Sequence, residues 1–237
     1  MKAPHRQALS GFTLVELLVV VAVIVVLSSA AGPAFNSILA NRGVDSGIAN
    51  VADFLEMARN EAMTRQTYVW VGLSGTSTSG ALGLEMAAAF STDTSGSYNN
   101  LVGSSSNVRP FTKVLQVQNV AFSQWNSLKQ ATRNQWNSGN APYPTDVCGS
   151  QPSGNVSFTV GGTQFNSAAI PFLTFTPQGE VILSGTAGPQ TGYGGFYDIG
   201  LRQAHGSVAP PAGSTLVNDA AIVIDGATGA TSVVQLH

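Results

Sequence analysis

Apolar and polar positions along this chain fall into three regimes. Residues 12–31 are apolar apart from Thr13, Glu16, Ser28 and Ser29, and Glu16 carries the only charge. Twenty residues span roughly 30 Å as a helix, the thickness of a bilayer's hydrocarbon core. Pro33 cannot donate a main-chain hydrogen bond and kinks or ends a helix. Beyond it Val44, Ile48, Val51, Leu55, Ala58 and Ala62 recur every three or four positions, one stripe of an amphipathic helix. Asp45, Asp53, Glu56, Arg59, Glu61 and Arg65 fall on its other faces, with Glu61 and Arg65 one turn apart. The spacing predicts one long helix from Phe12 to about Gln66. Its first half suits a membrane and its second half a globular core.

From residue 67 the period changes to two. In "TYVWVGL" (67–73), Tyr68, Trp70 and Gly72 share the face opposite Val69, Val71 and Leu73. Further strands are expected at 83–88, 113–122, 155–160, 172–176, 180–184, 196–202, 220–225 and 231–236. "TPQGEV" predicts a turn, with Pro177 setting φ and Gly179 free to take φ > 0. "IDGATGAT" predicts a closing hairpin, and a short helix is expected between Ser123 and Asn137. "GTSTSG" (75–80) and "GGTQFN" (161–166) read as flexible loops. Strand and helix do not alternate, so the fold class is α+β. The expected architecture is a long kinked helix, membrane-spanning in its first half, packed on an antiparallel β-sheet or sandwich.

Composition narrows the setting. Of 237 residues only 9% are charged, against about 25% in ordinary soluble domains. Gly, Ser, Thr and Asn cluster between residues 74 and 107 and suit an extracytoplasmic protein with long polar loops. A single cysteine, Cys148, excludes an intramolecular disulfide and leaves the redox compartment open. Its flanks supply no metal or redox partner, and it reads as a free thiol in a loop. The formal charge is −2, and loss of Lys2 and Arg6 with residues 1–11 would take it to about −4. That balance gives no general attraction to nucleic acid.

Catalytic chemistry finds no purchase. The three histidines, His5, His205 and His237, lie in the leader, in a loop and at the end of the sequence. No Ser-His-Asp or Cys-His spacing, zinc motif or phosphate loop occurs, so no catalytic residue, metal ligand or cofactor is expected.

Lys2, His5 and Arg6 precede the apolar run and place the amino end in the cytoplasm, with the rest of the chain crossing. The run is longer than a secretory signal, although Ser28, Ser29, Ala30 and Ala31 imitate a signal-peptidase site. The order "SGFTLVELL" resembles the processing site of type IV prepilins and type II secretion pseudopilins. That resemblance implies a cut between Gly11 and Phe12 by prepilin peptidase and N-methylation of Phe12. Glu16 then occupies the family's hallmark acidic position, and Pro33 lies where many members carry a helix-kinking proline. An ammonium group at Phe12 and the Glu16 carboxylate are each costly in an apolar bundle, and pairing them offsets much of the penalty. Pairing between neighbouring subunits would make Glu16 a filament-assembly contact. A carboxylate that merely snorkels to the headgroups is the local alternative.

"LEMARNEAMTRQTYVWV" is similar to the GspH/FimT branch of minor pseudopilins, through Ala58, Arg59, Glu61, Ala62 and Arg65. "LTFTPQGEV" resembles that branch's strand–turn signature and "IVIDGATGATSVV" its closing hairpin. The resemblance implies four segments: a prepilin leader over 1–11, a membrane and filament-core half-helix over 12–33, an amphipathic half-helix over 34–66, and an antiparallel β domain over 67–237. It implies a minor pseudopilin or minor pilin of a type II secretion pseudopilus or a type IV pilus. The expected partners are prepilin peptidase and other pilins. The expected location is the bacterial inner membrane, single-pass with a periplasmic domain, and then the filament.

A binding module is the alternative. Arg109, Lys113, Lys129 and Arg133 occur with no acidic residue between Asp93 and Asp146, and Trp125 and Trp136 are interleaved. Basic side chains with aromatic platforms suit single-stranded nucleic acid, which makes these four residues candidate DNA contacts of a filament-borne uptake receptor. A solvated loop and helix with a tryptophan anchored in the core is the plainer reading. A third class, a single-pass anchored enzyme or adhesin, would need the N-terminus to mimic the prepilin motif.

Overall fold

The computed structural model describes residues 13–78, 81–92, 107–137, 144–147, 156–183, 195–204, 208 and 218–235; within these, the side chains of 29–43, 76–78, 81 and 137 lie outside the description. The chain divides into two compact units between Leu39 and Ala40. Helix α1 (Leu14–Arg65) begins in the first unit and ends in the second. The Gly11–Phe12 junction and the side chain of Pro33 lie outside the described residues, as do Cys148 and all three histidines. Among the described residues no helix is long and apolar enough to cross a membrane.

In the second unit the apolar stripe of α1 is buried as its period requires. Val44, Val51, Leu55, Ala58 and Ala62 are fully buried, and Ile48 nearly so. They join one core with the inner faces of two sheets. The first sheet runs β10 (Val181–Leu183), β9 (Phe172–Phe175), β1 (Val69–Thr78), β2 (Ala81–Ser91), β3 (Val108–Pro110), and β4 (Leu115–Gln118) also pairs with β2. The second runs β13 (Thr231–Gln235), β12 (Asp219–Asp225), β11 (Phe196–Gln203), β5 (Val120–Ser123), with β6 (Thr145–Asp146) also on β11. Among the described residues every pairing is antiparallel except β6 on β11. The architecture is α+β with a helix on antiparallel sheets, as the periodicity predicts.

Three local expectations are corrected. The single strand expected at 113–122 is two strands meeting at Asn119, whose φ of 60° turns a corner. β4 stays in the first sheet and β5 crosses to the second. "GTSTSG" is not a loop at its start, since β1 runs on to Thr78 beside β2. "GGTQFN" is not a loop either: Gly161 and Gly162, both at positive φ, turn β7 (Ser157–Val160) into β8 (Thr163–Asn166). A two-residue Gly-Gly connection is a strong hairpin signal. The short β3 and β6 had no counterpart among the expected strands, because two or three residues carry no readable period.

Both outer sheet faces are covered. The β7–β8 hairpin lays Phe158 and Phe165 on the first sheet beside Trp70 and Phe172. Phe158 stacks on Phe165 at 5.4 Å and meets Phe172 edge-on at 5.8 Å. On the second sheet lie the 3₁₀ turn Trp125–Ser127 and helix α2 (Gln130–Asn137), which pack Trp125, Leu128 and Trp136 against Ala221, Val223, Val234 and Phe196. The short helix expected before Asn137 is therefore present. Asp219 anchors it, accepting from the Lys129 amide at 2.6 Å and the Thr132 hydroxyl at 2.7 Å.

Candidate functional site

At the start of α1, Thr13 and Glu16 form a reciprocal pair. The Thr13 amide donates to Glu16 Oε2 at 3.2 Å, and the Thr13 hydroxyl donates to the same oxygen at 3.1 Å. The Glu16 amide donates to the Thr13 hydroxyl at 3.2 Å. This is a capping box: the first helical amides have no partner in the helix, and T-x-x-E satisfies two of them. A carboxylate here also faces the positive end of the helix dipole. The sequence reading missed this role, although "TLVE" spells it. Downstream, the large apolar side chains from Leu14 to Leu27 are all at least half exposed in the single chain. A continuous apolar surface of this length on a folded chain marks an interaction or membrane surface.

At the other end of α1, the three segments that carry the resemblance meet. Arg59 lies between two turns. A Cβ at Gly179 would come within 3.2 Å of its Nε, and one at Gly229 within 3.1 Å. The same Cβ at Gly229 would stand 2.1 Å from the Gly179 carbonyl oxygen. Both glycines have positive φ, 85° and 68°. Thr176 shapes the first turn, its hydroxyl accepting from the amides of Gln178 and Glu180 at 3.3 and 3.2 Å. Asp225 shapes the second, accepting from the Ala227 amide at 2.9 Å. The Val181 amide donates to the Gly226 carbonyl at 2.8 Å and ties the first sheet to the second. Glu61 and Arg65 form the expected ion pair, and the Arg65 guanidinium sits 4.2 Å from the centre of the Phe90 ring. That cation–π contact was not legible in sequence, because Phe90 is distant along the chain.

The structure divides the candidate basic residues. Arg109, exposed on β3, is the register partner of Phe90; Lys113 is exposed in the link to β4. Lys129 and Arg133 are half-buried on the element covering the second sheet. The aromatic platforms are occupied. Trp125 is buried, and Trp136 meets the Phe196 ring edge-on at 4.9 Å. The placement of Trp125 matches the plainer reading of this stretch.

One ionisable group stands apart. Asp198 on β11 is fully buried, and among the described residues neither carboxylate oxygen has a hydrogen-bond partner. Burial, reinforced by the neighbouring Asp146 carboxylate, pushes its pKa up to about 8. No group of three or more metal-ligating side chains occurs among the described residues.

Residues 8–32 match the prokaryotic N-terminal methylation motif. This is a type IV pilin-like signal. It spans Gly11, Phe12, the Thr13–Glu16 box and the exposed apolar run. It supports a pilin or pseudopilin family, processing by prepilin peptidase, assembly with other pilins and a structural rather than enzymatic role. Neither the curated proteins nor the solved structures offer a match to the chain.

Proposed function

We propose that this chain is a minor pseudopilin or minor pilin of the GspH/FimT type, part of a type II secretion pseudopilus or a type IV pilus. The methylation motif over residues 8–32 carries this reading. Residues 1–11 are a leader, and prepilin peptidase cuts between Gly11 and Phe12 and methylates the new amino group. Residues 12–33 anchor the chain once in the inner membrane and later line a filament core. Their anchoring rests on the length and apolarity of the run. Residues 34–66 carry the domain, and 67–237 form it on the periplasmic side.

Two observations agree with that reading. The large apolar side chains from Leu14 to Leu27 have no cover in the single chain, whereas the stripe from Val44 to Ala62 is core. The capping box also holds the Glu16 carboxylate at the helix start, where an ammonium group at Phe12 of a neighbouring subunit supplies a counter-charge. A kink at Pro33 would let the two half-helices serve these separate surroundings.

The deciding experiment is mass spectrometry of the N-terminal peptide from protein made with prepilin peptidase present. The expected species begins at methylated Phe12. A chain that keeps Met1, or begins near Gly32, overturns the reading.

A further inference from the structure

Arg59 has a fixed stem and an unanswered charge. Its side chain threads the notch between the β9–β10 and β12–β13 turns, where a Cβ at Gly229 would lie 3.1 Å from both its Cδ and its Nε. The two turns touch there, since the same Cβ would stand 2.1 Å from the Gly179 carbonyl oxygen. Met63, one turn further along α1, lies beside Arg59 against Gly179. Within the notch the Arg59 Nε is shut from water and, among the described residues, has no hydrogen-bond partner. A buried donor left unpaired is costly. The residue as a whole is part-exposed, which leaves the rest of the guanidinium within reach of a ligand from outside.

The acidic side chains flanking Arg59 on α1 and at the two turns are committed elsewhere. Glu56 accepts from the Thr231 hydroxyl at 3.2 Å, and Glu61 pairs with Arg65. Glu180 accepts from the Thr176 hydroxyl at 3.5 Å, and Asp225 from the Ala227 amide at 2.9 Å. Of the 12 acidic residues in the chain, only Asp93 lies outside the described residues.

The chemistry of the notch selects the kind of anion. A guanidinium is a planar fork that takes a carboxylate side-on through two parallel N–H···O bonds. Phosphate sites instead gather several cations or a nest of free backbone amides. Here the amides of Gln178, Gly179 and Glu180 in the first turn, and of Ala227, Gly229 and Ala230 in the second, are already bonded within their own turns. The notch therefore offers one fork and no nest. Holding the stem between two turns also removes in advance the rotamer freedom that an arginine ordinarily loses on pairing.

We propose that Arg59 is the receptor of a carboxylate from outside the domain, an Asp or Glu side chain of an adjoining filament subunit. The subunit as source rests on the pilin reading above; the preference for a carboxylate does not.

The test has two arms, both on the full chain in detergent. In the first, the Arg59 Nε–H is followed by NMR during addition of sodium acetate, with sodium chloride and sodium phosphate at equal ionic strength as controls. Acetate should shift the signal saturably and chloride should not. No response to acetate overturns the site, and a larger response to phosphate overturns the choice of anion. A response that appears only in Asp93→Asn also overturns it, since the ligand would then be internal. In the second arm, Arg59→Met keeps the stem and removes the charge. Its melting midpoint should hold or rise, because an unpaired buried donor is gone. Its recovery with partner pilins should fall by about tenfold or more. A fallen midpoint, or a chain that no longer folds, makes Arg59 a strut for the two turns and overturns the proposal, as does undiminished recovery. If the wild type recovers no pilin while acetate still moves the Nε–H, the carboxylate site stands and the subunit falls as its source; the N-terminal mass decides the pilin reading separately.

Discussion

The Thr13 amide donates to the Glu16 carboxylate and the Glu16 amide donates back to the Thr13 hydroxyl, each at 3.2 Å. This pairing gives Glu16 a local duty distinct from any contact with another subunit. The two duties respond differently to substitution. Glutamine keeps an oxygen that can cap but loses the charge, and leucine loses both. Glu16→Gln should preserve the first helical turn and weaken co-purification with partner pilins. Glu16→Leu should also fray that turn, at a cost of about 0.5–2 kcal/mol. Amide exchange in micelles reads the cap, and pull-down after detergent extraction reads the assembly. Undiminished association of Glu16→Gln with its partners would reassign Glu16 to capping alone.

Leu55 is fully buried in the core shared by α1 and both sheets. Leu55→Ala should therefore cost about 2–5 kcal/mol, from lost burial and the cavity left behind. Thermal melting of the full chain in detergent measures it. An unchanged midpoint would mean that the helix stripe does not pack as described.

Gly229 has φ of 68°, and a Cβ there would lie 2.1 Å from the Gly179 carbonyl oxygen. Gly229→Ala combines a left-handed backbone with a main-chain clash, and should cost more than about 2 kcal/mol. Gly179→Ala should cost less, because the nearest atom to its Cβ is the Met63 sulfur at 2.9 Å, near the end of a flexible side chain. Comparing the two melting midpoints checks the order. Equal midpoints would show that the two turns do not meet at Arg59.

Asp198 makes an unusual demand on pH. Its folded-state pKa is raised, so folding retains a proton that the unfolded chain gives up. This contribution to stability is complete below pH 3.8 and is lost as pH rises toward about 8. Denaturant midpoints of the wild type should fall between pH 5.5 and 8, and those of Asp198→Asn should fall less. Parallel profiles would remove Asp198 as the cause.

Periodicity by itself determined α1 and most of its partners. A stripe repeating every three or four residues has one way to be buried, and Val44 to Ala62 take it. Alternation in "TYVWVGL" likewise assigned Val69, Val71 and Leu73 to one core and Trp70 to another. The prepilin-like order around Gly11, Phe12 and Glu16 was legible because recognition of that segment is a matter of adjacent residues, and the methylation motif falls on it.

Tertiary structure decided what depends on distant partners. Asn119 splits an apparently continuous strand because its two halves answer to different neighbours, β2 and β11. Lys129 and Arg133 go with α2 onto the second sheet, whereas Arg109 lies on β3 of the first, so closeness in sequence did not become a patch. Arg59 lies more than a hundred residues before Gly179 and Gly229, and the three meet only when both sheets close on the helix. The raised pKa of Asp198 has the same origin. No local pattern marks it, because its burial arises only when the second sheet is packed, and the nearness of Asp146 only when β6 is laid on β11.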